Sequence, residues 1–113
     1  MKKLLTAVFA LSLAAAAHAA CTESTQQCVI YKNGSIAAEG GCTVSKCPSA
    51  NGTGQSWKLK NGKTITLDIG KDGKTTVNKK PGAQVKNSNA AGMGLTCYAA
   101  DADKRTQYCA TAY

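Results

Sequence analysis

The chain has 113 residues, with 14 lysines and arginines against six acidic side chains, six cysteines, one histidine and only 5% aromatic residues. That length provides for one domain. The lone histidine, His18, lies in the N-terminal apolar run, so histidine-based proton transfer and histidine-containing zinc sites are excluded from everything downstream.

Met1-Lys2-Lys3 supplies a positive start, Leu4 to Ala17 is almost unbroken apolar chain, and Ala17-His18-Ala19 places small residues where a signal peptidase reads. These are the three regions of a secretory signal. The run is shorter than the roughly 20 residues that cross a bilayer. Residues 1–19 are therefore expected to be a cleaved signal and 20–113 a single disulfide-rich β domain. The short basic start and alanine-rich end fit bacterial export. Ala19-Ala20-Cys21 also resembles the end of a lipoprotein signal, but His18 stands where an aliphatic residue is expected. Acylating Cys21 would strand one thiol of an even set. A soluble periplasmic or secreted product is the favoured reading, with no transmembrane segment.

The exported part holds Cys21, Cys28, Cys42, Cys47, Cys97 and Cys109, and just one tryptophan and no phenylalanine. A small domain with so few large apolar groups needs covalent help. Disulfides at about 2–4 kcal/mol each would supply stability on the scale of a whole domain. No Cys-x-x-Cys pair is present, so neither metal nor cofactor is expected. Short sequence separations suggest Cys21–Cys28, Cys42–Cys47 and Cys97–Cys109.

In chain order, Cys28–Tyr31 and Ser35–Ala38 flank Asn33-Gly34, a pair suited to the positive φ angles of a type I′ hairpin turn. Gly40 to Ser56 is rich in glycine and serine and reads as a stapled loop. Trp57 and Leu59, then Ile65, Leu67 and Ile69, alternate with Lys, Thr and Asp around Asn61-Gly62. This predicts a half-buried hairpin with a polar outer face and makes Trp57 a core residue. Gly70–Gly73 turns into a further strand over Lys74–Asn78, and Pro81-Gly82 is expected to end the meander. Asn87 to Gly94 reads as a loop. Leu95–Ala99 and Gln107–Ala110 form a last hairpin with Cys97 opposite Cys109. The fold class is all-β: a small antiparallel sandwich or partly open barrel of about six short strands, stapled by disulfides.

The acids Glu23, Glu39, Asp68, Asp72, Asp101 and Asp103 show no catalytic spacing, and only a Glu23/Glu39 pair assembled across space would resemble a glycosidase. No catalytic residues are assigned and no enzyme is expected. Positive charge concentrates between Lys58 and Lys86, whereas Lys32, Lys46, Lys104 and Arg105 are cancelled by Glu23, Glu39, Asp101 and Asp103. Such a face keeps a β protein soluble and also draws in anions. The candidate partner-binding residues are Lys58, Lys60, Lys63, Lys71 and Lys74, with Tyr98 and Tyr108 as an outward aromatic pair beside them. The expected function is a non-catalytic binding module of the bacterial envelope for an anionic envelope component or a protein partner. A membrane surface is compatible with this. Nucleic acid is disfavoured because arginine is nearly absent. The alternative is an inhibitor or immunity protein against an envelope-attacking enzyme, a task suited to a preorganised domain.

Overall fold

The structure is a computed structural model that describes residues 21–49 and 52–111. The predicted signal, residues 1–19, lies outside these. Eight antiparallel strands follow one another in sequence order and close into a barrel. They are β1 (Thr22–Lys32), β2 (Ser35–Ser49), β3 (Gly52–Leu59), β4 (Thr64–Gly70), β5 (Thr75–Val77), β6 (Lys80–Val85), β7 (Leu95–Ala100) and β8 (Asp103–Thr111). One short helix, α1 (Ser88–Gly92), links β6 to β7. Each strand pairs with its sequence neighbour, and β8 returns to β1 through Cys28↔Ala110 to Lys32↔Thr106. Closure satisfies strand edges that an open sandwich leaves exposed.

Several expectations change, beginning with the architecture: a closed barrel of eight strands replaces the expected sandwich or partly open barrel of about six. The glycine-rich stretch after Gly40 is strand: β2 runs on to Ser49 and pairs with β3 from Cys42↔Leu59 to Ser49↔Gly52. The alternation there is carried by Cys42 and Val44, both buried. Pro81-Gly82 is likewise no terminator. It lies inside β6, a strand with no sequence signal, and the preceding turn is Asn78-Lys79. Pro81 sits beside β7, where Asp101 donates to its carbonyl (2.8 Å). Its missing N–H points to that same side, at the end of the β6–β7 ladder, and so leaves the bonds between β5 and β6 intact.

The other turns follow local chemistry. Asn33 (φ 54°) and Gly34 (φ 82°) form the expected type I′ turn. Lys60–Gly62 and Lys71–Gly73 are each a type I turn closed by a left-handed glycine, with Gly62 N–H bonded to Leu59 O and Gly73 N–H to Gly70 O, both 3.1 Å. Asn87 caps α1 by accepting from Ala90 N (3.1 Å), so the predicted loop contains one helical turn.

Two apolar clusters result. Inside the barrel lie Cys28, Ile30, Cys42, Val44, Trp57, Ile65, Leu67, Val77 and Ala110. On the outer wall, Val29, Tyr31, Leu95, Cys97 and Cys109 pack beneath Ala90 of α1. This explains why β1 is buried on both faces over residues 28–31. Gly82 keeps the interior tight: a Cβ there would come within 2.5 Å of the Ala99 carbonyl and 2.8 Å of Val77 Cγ2.

The disulfides are Cys21–Cys47, Cys28–Cys42 and Cys97–Cys109. Only the last matches the local expectation. The first two both join β1 to β2, whose register puts Thr22 opposite Lys46 and Gln26 opposite Cys42. Cys21 thus lies across from Cys47 (Cα–Cα 4.3 Å), and Cys28 reaches Cys42 diagonally (5.9 Å). Short separation along a strand is the wrong guide, because consecutive strand residues diverge at about 3.3 Å each. Such bonds belong to a chain matured in an oxidising compartment. Among the described residues no helix is long and apolar enough to cross a membrane.

Candidate functional site

A meander sorts its turns by parity. The β1–β2, β3–β4, β5–β6 and β7–β8 turns share one end of the barrel, here termed the upper rim. The β2–β3 and β4–β5 connections and α1 share the lower rim. This divides the predicted lysine face. Lys58, Lys60 and Lys63 belong to the upper rim, whereas Lys71 and Lys74 flank the turn at the opposite end of β4. The two groups are separated by about 20 Å of strand, so the five lysines form no single face.

The lower group is compensated. Lys71 and Lys74 line a groove of about 480 Å³ together with Asp68 and Asp72. Asp72 Oδ1 accepts from Lys74 N (3.0 Å), and Asp68 Oδ2 accepts from Thr76 Oγ1 (3.3 Å).

The upper rim gathers more charge than the sequence reading assigned to it. Lys32, at the end of β1, and Lys104 and Arg105, at the start of β8, join Lys58, Lys60, Lys63 and Lys80, and all seven are exposed. The Asn33 N–H donates to the Arg105 carbonyl (3.0 Å), tying the β1–β2 turn to β8. The carboxylates at this end are Glu39, Asp101 and Asp103. Asp103 is occupied locally, with Oδ1 accepting from Arg105 N (3.2 Å) and Oδ2 from Thr106 Oγ1 (2.9 Å). Among the described residues no ion pair engages the seven cations. Lys79 behaves differently: it lines an outer-wall groove with Ser56, Thr66 and Asp68. Charge counted along the sequence cancelled Lys32, Lys46, Lys104 and Arg105 against Glu23, Glu39, Asp101 and Asp103; three of those acids share this rim, which still carries seven cations against three carboxylates. Turn parity is the signal that would have found the excess.

Tyr98 and Tyr108 stand opposite each other on β7 and β8, but they face inward and pack against the interior cluster. The outward expectation for Tyr98 is corrected by its neighbours. Cys97 and Cys109 are the residues turned to the outer wall, beneath α1, so Tyr98 and Tyr108 take the barrel side. Tyr98 meets Trp57 edge-on, with ring centroids 6.3 Å apart and planes at 70°. Burial raises the Tyr98 phenol above its ordinary pKa by desolvating the charged form.

The lower mouth of the barrel is polar. Gln26 is buried, its Oε1 accepting from Thr111 Oγ1 and its Nε2 donating to Ser24 Oγ (2.8 Å). Trp57 Nε1 donates to Gln55 Oε1 (3.0 Å). The cavity between these groups holds only about 80 Å³, room for water and little more. With Trp57, Leu67 and Val77 filling the interior, the barrel is a solid scaffold for its rims.

Glu23 and Glu39 are not assembled into a pair. Glu39 lies opposite Val29, six positions along β1 from Glu23, hence about 20 Å away. Among the described residues no group of three or more potential metal ligands converges, and all six cysteines are disulfide-bonded. No family model, curated protein or solved structure matches this chain.

Proposed function

We propose that the protein is a small exported binding module, without catalytic activity, whose upper rim docks on an anionic component of the bacterial envelope. The observation that supports this most is the asymmetry between the rims. At the lower rim Lys71 and Lys74 share a groove with Asp68 and Asp72, two charges of each sign, whereas the upper rim sets Lys32, Lys58, Lys60, Lys63, Lys80, Lys104 and Arg105 against Glu39, Asp101 and Asp103, seven against three. Solubility alone would be served by cations spread evenly over the surface. A cluster on one end instead focuses the field and raises the local concentration of anions. The closed, disulfide-locked barrel fixes the spacing of that cluster before binding, which reduces the entropy lost on association.

The test is co-sedimentation of the oxidised protein with isolated peptidoglycan, lipopolysaccharide and anionic phospholipid vesicles across a salt series. Binding to at least one fraction that weakens steeply with salt is the expected result. Absence of binding to every fraction at low salt would overturn the proposal and leave inhibition of an envelope-attacking enzyme as the function to examine.

A further inference from the structure

The outer wall of β2, β3 and β4 carries a groove of about 250 Å³, lined by Ser45, Gly54, Ser56, Thr66, Asp68 and Lys79. Strand register builds it. Val44, Trp57, Ile65 and Leu67 are buried inside the barrel, so alternation turns Ser45, Ser56, Thr66 and Asp68 outward. Ser45 pairs with Ser56 and Ser56 with Thr66, which sets their hydroxyls in one row at about 4.8 Å per strand. One row lower Gly54 pairs with Asp68, so the floor there is bare backbone. Asp68 Oδ2 accepts from Thr76 Oγ1 (3.3 Å). Its Oδ1 lies over Gly54, 3.2 Å from where a Gly54 Cβ would stand. Ser45 Oγ donates to Glu23 Oε1 (3.3 Å) and keeps its lone pairs as acceptors.

Lys79 reaches this wall because β5 is only three residues long, which halts the β5–β6 turn level with Thr66. Asn78 clamps the turn there. Its N–H donates to the Thr66 carbonyl (2.8 Å) and its Oδ1 accepts from the Thr66 N–H (3.0 Å). Lys79 follows at φ 69°, a conformation that suits glycine and strains a lysine. Strain retained at one residue points to a use for its side chain, and this side chain lines the groove. The groove thus combines an ammonium from the β5 side, a carboxylate oxygen over bare backbone, and a row of hydroxyls.

We infer that this groove binds one sugar residue that carries a carboxylate, at a site separate from the upper rim. The pyranose ring sets its flat C–H face on Gly54, where a side chain would intrude. Its hydroxyls donate to Asp68 Oδ1, a charge-assisted bond, and exchange hydrogen bonds with Ser45, Ser56 and Thr66, whose hydroxyls both donate and accept. The sugar carboxylate turns to Lys79, the orientation that keeps it away from Asp68 and Glu23. A small carboxylate without hydroxyls has nothing to offer Asp68 and is repelled by it. An amino sugar meets Lys79 with like charge. The site therefore selects sugar acids over both.

The experiment follows the amide chemical shifts of the oxidised protein by NMR. Methyl β-D-glucuronide is titrated beside methyl β-D-glucoside, glucosamine, acetate and alanine. The glucuronide should shift the Gly54, Ser56 and Thr66 amides saturably and bind about tenfold more tightly than the glucoside, as expected for one added hydrogen bond between charged groups. Lys79→Gly, a residue the turn favours, should erase that preference and keep the fold. Gly54→Ala, at a position outside the left-handed region, should weaken both glycosides with the rest of the spectrum unchanged. Absence of saturable shifts at these amides with the glucuronide would overturn the inference. Equal binding of the two glycosides, or a preference that survives in Lys79→Gly, would overturn it as well. Acetate or alanine binding as tightly as the glucuronide would instead mark a site for any carboxylate or for a zwitterion. Shifts confined to Lys32, Lys60 and Arg105 would assign the sugar acid to the upper rim and remove the separate site.

Discussion

Trp57 was legible from its phase with Leu59 across a strand of alternating character, and the structure buries it to 2% exposure. Tyr98 was not, because the residue before it, Cys97, is buried on the opposite wall. A strand covered by α1 outside and by the barrel inside has no polar face from which to read direction. The half-buried phenol of Tyr98 gives a testable pH dependence. Its folded-state pKa is raised, so its contribution to stability is fully present below the unfolded value near pH 10. That contribution is lost as pH rises through the folded value. Denaturant titrations from pH 8 upward should show stability falling in this range, and less steeply in Tyr98→Phe. Parallel pH profiles for the two proteins would contradict the assignment. Lys79 supplies a second test. It holds φ 69° in a turn with Asn78 at φ 50°, a left-handed conformation costing a non-glycine residue about 1–2 kcal/mol. The type I′ turn prefers Asn-Gly, and Asn-Lys in its place hid this turn from the sequence reading. Lys79→Gly should raise the unfolding free energy by up to about 1 kcal/mol; an unchanged or lower value would show that the lysine stem compensates for the strain.

The elements that were legible are those in which turn chemistry and alternation agree: β3–β4 with Asn61-Gly62, and the first hairpin with Asn33-Gly34. Two stretches were not. In the second half of β2 and most of β3, glycine and serine replace the large residues that make alternation visible. Their pairing is imposed by neighbouring strands rather than by their own preferences. β6 contains Pro81 and Gly82, which read as a stop wherever the position of the missing N–H is unknown. Disulfide connectivity followed from register, which in turn depended on recognising all of β2. The staples should differ in lability. Cys28, Cys42, Cys97 and Cys109 are 0–4% exposed, whereas Cys21 is exposed at the very start of the barrel. Mild reduction followed by alkylation and peptide mapping should label Cys21 and Cys47 first, with the far-ultraviolet spectrum unchanged. Earlier labelling of Cys97 and Cys109 would mean that the wall beneath α1 opens more readily than the structure indicates.

At the scale of the molecule, the sequence carried the sum of charge but not its placement. All-β class, antiparallel pairing and a disulfide-held core followed from composition and turn signals. Closure into eight strands depended on contacts between β1 and β8, far apart in the chain. Closure also sets the rims, sending Lys71 and Lys74 to one end and recruiting Lys32, Lys104 and Arg105 to the other. The upper rim, rather than lysine content as a whole, is proposed to bind the anionic partner. The most direct measurement compares two variants of equal charge change on anionic vesicles, lipopolysaccharide and peptidoglycan over a salt series: Lys60→Gln with Lys63→Gln, and Lys71→Gln with Lys74→Gln. The upper-rim pair should weaken binding at least tenfold and flatten its salt dependence, while the lower-rim pair stays within about twofold of the parent, as expected for charges that contact the anion and charges that do not. Equal losses in the two variants would contradict the claim and reduce the cationic rim to general electrostatic attraction.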